Sequence, residues 1–121
     1  MGKNEELGLP FGGMKKVAFC FDVDGTLIQE PYVENRTTVD LLLSVAWQKW
    51  KNVDVIVWSG GGAEYARQQV SRLLPDEIVE RIKFHSKIEH RALRQKYSAL
   101  IAIDDIQDTA IGDVNLIVRN K

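Results

Sequence analysis

The sequence predicts an α/β domain, a Rossmann-like three-layer sandwich built on a mainly parallel sheet of five strands. Three observations lead there. Short runs are apolar on both alternating faces, as in strands covered on both sides. Amphipathic segments of helical period separate them. Strand and helix alternate along the chain, the pattern of a parallel sheet with helices on both faces.

The first strand is Val17 to Phe21, Val-Ala-Phe-Cys-Phe, which stops abruptly at Asp22. Thr37 or Thr38 is placed to cap a helix in which Val39, Leu42, Leu43, Ala46 and Trp50 recur at three- and four-residue steps. Val53 to Trp58 forms the second strand and leads into Ser59-Gly60-Gly61-Gly62. A second helix follows from Ala63 to Leu74, with Ala66, Val70 and Leu73 on its apolar face, until Pro75 stops it. Ile82 to His85 is a weaker strand, and Ser86 to Tyr97 a helix carrying Ile88, Ala92, Leu93 and Tyr97. Leu100 to Ile103 leads into Asp104-Asp105, and the branched residues of Val114 to Val118 give the fifth strand.

A length of 121 residues suits one domain with one real core. With 45% hydrophobic and 27% charged residues the chain is neither disordered nor collagen-like nor a disulfide scaffold, so its fold must rest on packing. Residues 1–13 hold Gly2, Gly8, Pro10, Gly12 and Gly13 without sustained periodicity, and are expected to stand outside the fold as a leader. Met14 could serve as an alternative start, and residues 14–121 are expected to make the single domain. A net charge of -1 gives no electrostatic reason for tight, sequence-independent DNA binding, although it leaves room for a local basic patch. Cys20 is the only cysteine and lies in an apolar run, which predicts a buried, inert thiol. No stretch approaches the roughly 20 apolar residues that cross a bilayer, and the N-terminus lacks a secretory pattern. A cytoplasmic location without a membrane partner is expected.

Ligands of open parallel sheets gather outside the carboxyl ends of the strands, so the loops beginning at Asp22, Ser59 and Asp104 should converge. Asp22-Val23-Asp24-Gly25-Thr26-Leu27 and Asp104-Asp105-Ile106-Gln107-Asp108 then bring as many as five carboxylates to one rim. Like charges this close raise one another's pKa unless a cation or hydrogen-bond donors offset them. Hard oxygen ligands in this number favour magnesium or calcium, and magnesium keeps positions for water or phosphate oxygens. The Gly25 turn can redirect the chain so that Asp22 and Asp24 reach the same bound group. Taken without other information, the Asp-x-Asp pair reads more readily as a solvated turn than as a catalytic pair, and Ser59 with its glycines more readily as a flexible turn.

An apolar strand followed by Asp-x-Asp-Gly-Thr-Leu resembles the first motif of the haloacid dehalogenase superfamily. Other elements follow in the expected order: an apolar strand ending in Ser59, Lys87 ahead of the fourth strand, and Ile103-Asp104-Asp105 with Asp108. The likeness spans about Lys16 to Val118. It implies a phosphatase in which Asp22 attacks phosphorus and Asp24 protonates the leaving oxygen and then activates water. It implies Mg2+ held by Asp22, the Asp24 main-chain carbonyl and Asp104, with Asp105 or Asp108 assisting. Asp104 is preferred as the direct ligand because its spacing to Asp108 reproduces the family's pair, while Ile103 replaces the family's usual preceding glycine. Ser59, the Gly60 N–H and Thr26 would bind the phosphoryl group, and Lys87 would neutralise it, with Lys83 and Lys96 as nearby competitors. His85 and His90 are assigned packing or surface roles. Trp47, Trp50 and Trp58 are read as core or interface, although Trp58 abuts Ser59.

Only 36 residues separate Asp22 from Ser59, and 27 separate Ser59 from Lys87, which leaves no room for a cap domain. The site is therefore expected to be open, with 28–36 as a local flap. Its substrate would be a phosphorylated small molecule or a macromolecular end, nucleic acid included, or a second copy of the chain would cover the rim. A phosphate- or magnesium-binding module without turnover is the alternative, and a response-regulator receiver fits less well.

Overall fold

The computed structural model describes residues 16–29, 33–105 and 111–118. Its elements run β1 (Val17–Asp22), β2 (Ile28–Gln29), β3 (Val33–Glu34), α1 (Arg36–Gln48), β4 (Val53–Ser59), α2 (Ala63–Leu73), α3 (Asp76–Val79), β5 (Ile82–Ser86), a 3-10 turn (Lys87–Glu89), α4 (His90–Lys96), β6 (Ala99–Asp104) and β7 (Val114–Ile117). Five strands form one sheet in the order β5-β4-β1-β6-β7, and every neighbouring pair is parallel. This is the expected α/β Rossmann-like sandwich.

Alternation along the strands divides the core. Phe21, Val55, Val57 and Ile103 face one side, where α1, α2 and α3 supply Val39, Leu42, Ala66, Val70 and Ile78. Ala18, Cys20, Ile56, Trp58, Leu100 and Ala102 face the other, closed by Leu93 from α4 and by Tyr97 just after it. Leu42 and Ile78 are wholly buried, each contributing about 1.5–3 kcal/mol through removal from water. Cys20 is buried as expected, and burial pushes its thiol pKa up, so it stays protonated and inert.

Several local expectations need correction. Asn35, rather than Thr37 or Thr38, caps α1, its Oδ1 accepting from the Thr38 N–H at 3.4 Å. The helix ends at Gln48, and Lys49 turns left-handed at φ 54°, so Trp50 leaves the apolar face and is exposed. Pro75 does not merely stop α2; it begins α3, since its fixed φ suits a helix start. Ser86 to Tyr97 is not one helix, because a Ser86–Glu89 capping box builds a 3-10 turn first, and Ile88 stands 84% exposed on it. Within the 28–36 flap the described residues contain a small antiparallel pairing of β2 with β3. The leader at 1–13, Met14 and Asp108 lie outside the described residues. Among the described residues no helix is long and apolar enough to cross a membrane.

Candidate functional site

From β1 the chain adds β4 and β5 on one side of the sheet and later β6 and β7 on the other. Strand order therefore reverses at the β1/β6 boundary, where open α/β sheets bind ligands. The last residues of these two strands are Asp22 and Asp104, both buried. Lys87, the first residue of the 3-10 turn, bridges them: its Nζ lies 2.9 Å from Asp22 Oδ1 and 2.5 Å from Asp104 Oδ2. The capping box fixes this lysine, because Ser86 Oγ accepts from the Ile88 N–H while Glu89 Oε2 accepts from the Ser86 N–H at 2.8 Å. Lys83, the competing lysine, pairs with Asp54 at 2.9 Å near the opposite ends of the strands.

Burial pushes the Asp22 carboxyl up to about 6; Lys87 pulls it down, and Asp104 and Asp105 push it further up. Burial would lower the Lys87 pKa, but the hydrogen bonds to Asp104 and Asp22 outweigh it and hold the ammonium charged. Asp105 is raised by burial and by its hydrogen bond with Asp104. One ligand atom from each of Asp22, Asp104 and Asp105 lies within 4.8 Å of the others. Asp105 Oδ1 is buried and has no hydrogen-bond partner, an orphan acceptor of the kind that a cation or ordered water satisfies. These hard oxygen donors fit a divalent cation such as magnesium.

The loop after β1 closes on one carbonyl: Val23 O accepts from the N–H groups of Thr26, Leu27 and Ile28 at 3.0–3.3 Å. Gly25 is required there. Its φ is +83°, and a Cβ would fall 2.1 Å from Asp105 Oδ2. Thr26, expected to bind substrate, is fully buried, and its hydroxyl donates to Asp22 Oδ2 at 3.3 Å. It orients the carboxylate. Asp24 is exposed and stands apart from the three-carboxylate cluster; its Oδ1 accepts from the Tyr65 hydroxyl at 2.7 Å.

Ser59 is buried at the end of β4, and its Oγ accepts from the Gly61 N–H at 3.0 Å, leaving its own O–H to donate. A Cβ at Gly60 would meet nothing within 4 Å, so close approach does not demand glycine there; Gly62, at φ +105°, is the conformationally constrained one. His85 pairs with Glu89 at 3.2 Å, in keeping with a packing role. Trp58 is wholly buried in the α4-side core and does not border an open pocket. Tyr65 is the site residue that sequence reasoning missed. Its signal was positional: it lies in the first turn of α2, just beyond the loop expected to meet Asp22.

The sequence matches no known family model, and neither the curated proteins nor the solved structures contain a match. Fold and site together define an α/β domain with an acidic cluster able to hold a cation at its topological switch point.

Proposed function

We propose that the chain is a magnesium-dependent phosphomonoesterase that works through an aspartyl-phosphate on Asp22. The observation that carries this reading is the meeting of Asp22, Asp104, Asp105 and Lys87 at the ends of neighbouring strands. The resemblance of Asp22 to Leu27 to the haloacid dehalogenase motif supplies the reaction class.

In the first step an Asp22 carboxylate oxygen attacks phosphorus, the ester P–O bond breaks, and the leaving oxygen takes a proton from Asp24. In the second, water attacks the aspartyl-phosphate, Asp24 takes its proton, and phosphate leaves with the Asp22 carboxylate restored. Thr26 fixes the attacking group, Lys87 balances its charge, and Ser59 with the Gly60 N–H receives phosphoryl oxygens. Magnesium, held by Asp22, the Asp24 carbonyl and Asp104 with Asp105 beside them, would neutralise charge between nucleophile and phosphoryl oxygens. Asp24 is exposed, so its carboxyl can exchange protons with solvent. Core elements fill both intervals in which a cap could be inserted, which favours an open site for a small phosphomonoester, a macromolecular end, or a second chain as cover.

One observation favours a second reading, a magnesium- or phosphate-binding module. The Asp24 carboxylate is engaged by Tyr65 and lies outside the cluster. Phosphate release from a broad phosphomonoester panel, with magnesium or with chelator, separates the two. Magnesium-dependent release that Asp22→Asn abolishes is expected. Magnesium binding without turnover of any member, an activated aryl phosphate included, would establish the binding module instead.

A further inference from the structure

At the opposite ends of the strands lies a depression of about 260 Å³. It is formed where the turn after α1 meets the starts of β1 and β4. Lys16, Lys49, Lys51 and Arg81 line it with Trp50, and its one carboxylate is Asp54. Asp54 is already engaged by Lys16 at 3.2 Å, Lys83 at 2.9 Å and the Tyr97 hydroxyl at 2.7 Å. Burial would raise its pKa, but these donors outweigh burial and hold it ionised. Among the described residues Lys49 and Lys51 form no ion pair. Arg81 donates to Ala46 O at 3.4 Å and stacks 5.3 Å from the Trp47 ring centroid, which holds its guanidinium on this surface.

The C-terminal dipole of α1 accounts for a cation or two here. It explains neither Lys16, which immediately precedes β1, nor the two indoles. Trp47 is 59% exposed and Trp50 52%, large apolar faces left in water beside uncompensated positive charge. Cations that track a phosphate backbone, interleaved with aromatic faces on which bases stack, are what single-stranded nucleic acid requires. An acidic peptide would satisfy the lysines but has no planar bases for the indoles. We infer that this groove binds single-stranded nucleic acid, with phosphates on Lys16, Lys49, Lys51 and Arg81 and a base on Trp50. A strand advances about 3.3 Å per residue, so the groove lies roughly 17 Å from Asp22. Its occupancy is independent of the proposed hydrolysis.

The test is anisotropy of a fluorescein-labelled twelve-residue oligo-dT with the full chain, in chelator, from 50 to 200 mM salt. Binding is expected with a log–log salt slope near -3, about -0.7 for each of four phosphates. Trp50→Ala should weaken it at least about fivefold by loss of stacking, and Lys49→Glu with Lys51→Glu by more. Circular dichroism of each variant guards against misfolding as the cause. Absence of binding at 50 mM salt overturns the inference. So does equal affinity for polyglutamate of matching charge, which would make the groove a site for acidic protein, or a Trp50→Ala variant that is folded and binds unchanged.

Discussion

Replacing Asp22 by Asn should stabilise the fold at alkaline pH when no divalent cation is present. Burial holds this carboxyl near pKa 6, against an ordinary value of 3.8. A rise of about two units corresponds to about 3 kcal/mol between its neutral and charged forms in the folded chain. Because the folded pKa lies above the unfolded one, the associated stability is fully present below the ordinary value and lost as pH rises through about 6. At pH 8 the wild type bears the whole cost; about half of it returns by pH 5. Asn imitates the neutral form at every pH and leaves Lys87 paired with Asp104. For a domain of this size about 3 kcal/mol amounts to roughly 10 °C in Tm. Thermal and urea unfolding followed by circular dichroism at pH 5 and pH 8, in chelator, should show the variant's advantage at pH 8 and its decline at pH 5. Added magnesium should raise the wild type and not the variant. If Asp22→Asn is the less stable protein at pH 8 in chelator, the carboxylate is a net stabilising partner of Lys87, and the reasoning from burial and carboxylate repulsion is wrong.

Lys87→Met should lower phosphate release at least about a hundredfold, whereas Lys83→Met, which removes only an exposed partner of Asp54, should leave turnover within about twofold in the same assay. Tyr65→Phe should slow hydrolysis of alkyl phosphates about tenfold and leave an activated aryl phosphate unaffected, since only a poor leaving group needs the proton from Asp24. An equal fall for both substrates would give Tyr65 a merely structural role. Gly25→Ala forces a Cβ against Asp105 at positive φ and should cost roughly 1–3 kcal/mol, read from the urea midpoint.

The three central strands were legible because each is largely apolar on both faces, and their polar ends located the site; the edge strands β5 and β7 gave a weaker signal, and β7 is exposed along its length. Val17 to Phe21 has the pattern of a covered strand, and Asp22 marked where it emerges. What escaped was decided by side chains acting on nearby backbone. Asn35 outcompeted Thr37 and Thr38 for the α1 cap through one hydrogen bond to the Thr38 N–H. The Ser86–Glu89 capping box broke a helix that periodicity alone would have carried through Ile88. Spacing also drew Thr26 toward the substrate, because a motif cannot show that a threonine is buried beneath the aspartate it serves. The Tyr65–Asp24 hydrogen bond joins residues 41 positions apart, beyond the reach of any local pattern.

The two halves of the site differ in what fixes them. Asp22 and Asp104 end strands paired side by side in the middle of the sheet, and Lys87 is set by a capped turn, so their charges are imposed on the fold whether or not a ligand is present. Asp24 is held by a glycine turn and one tyrosine hydroxyl from another element. If the proposed function holds, substitutions in the first half should change stability and cation affinity together, because the same buried charges would govern both. Those in the second half should alter the proposed proton delivery while the core stays intact. A reaction that needs a fixed nucleophile and an acid that serves twice would divide its residues in this way: the strands hold the group that must not move, and the loop carries the one that must exchange protons with solvent.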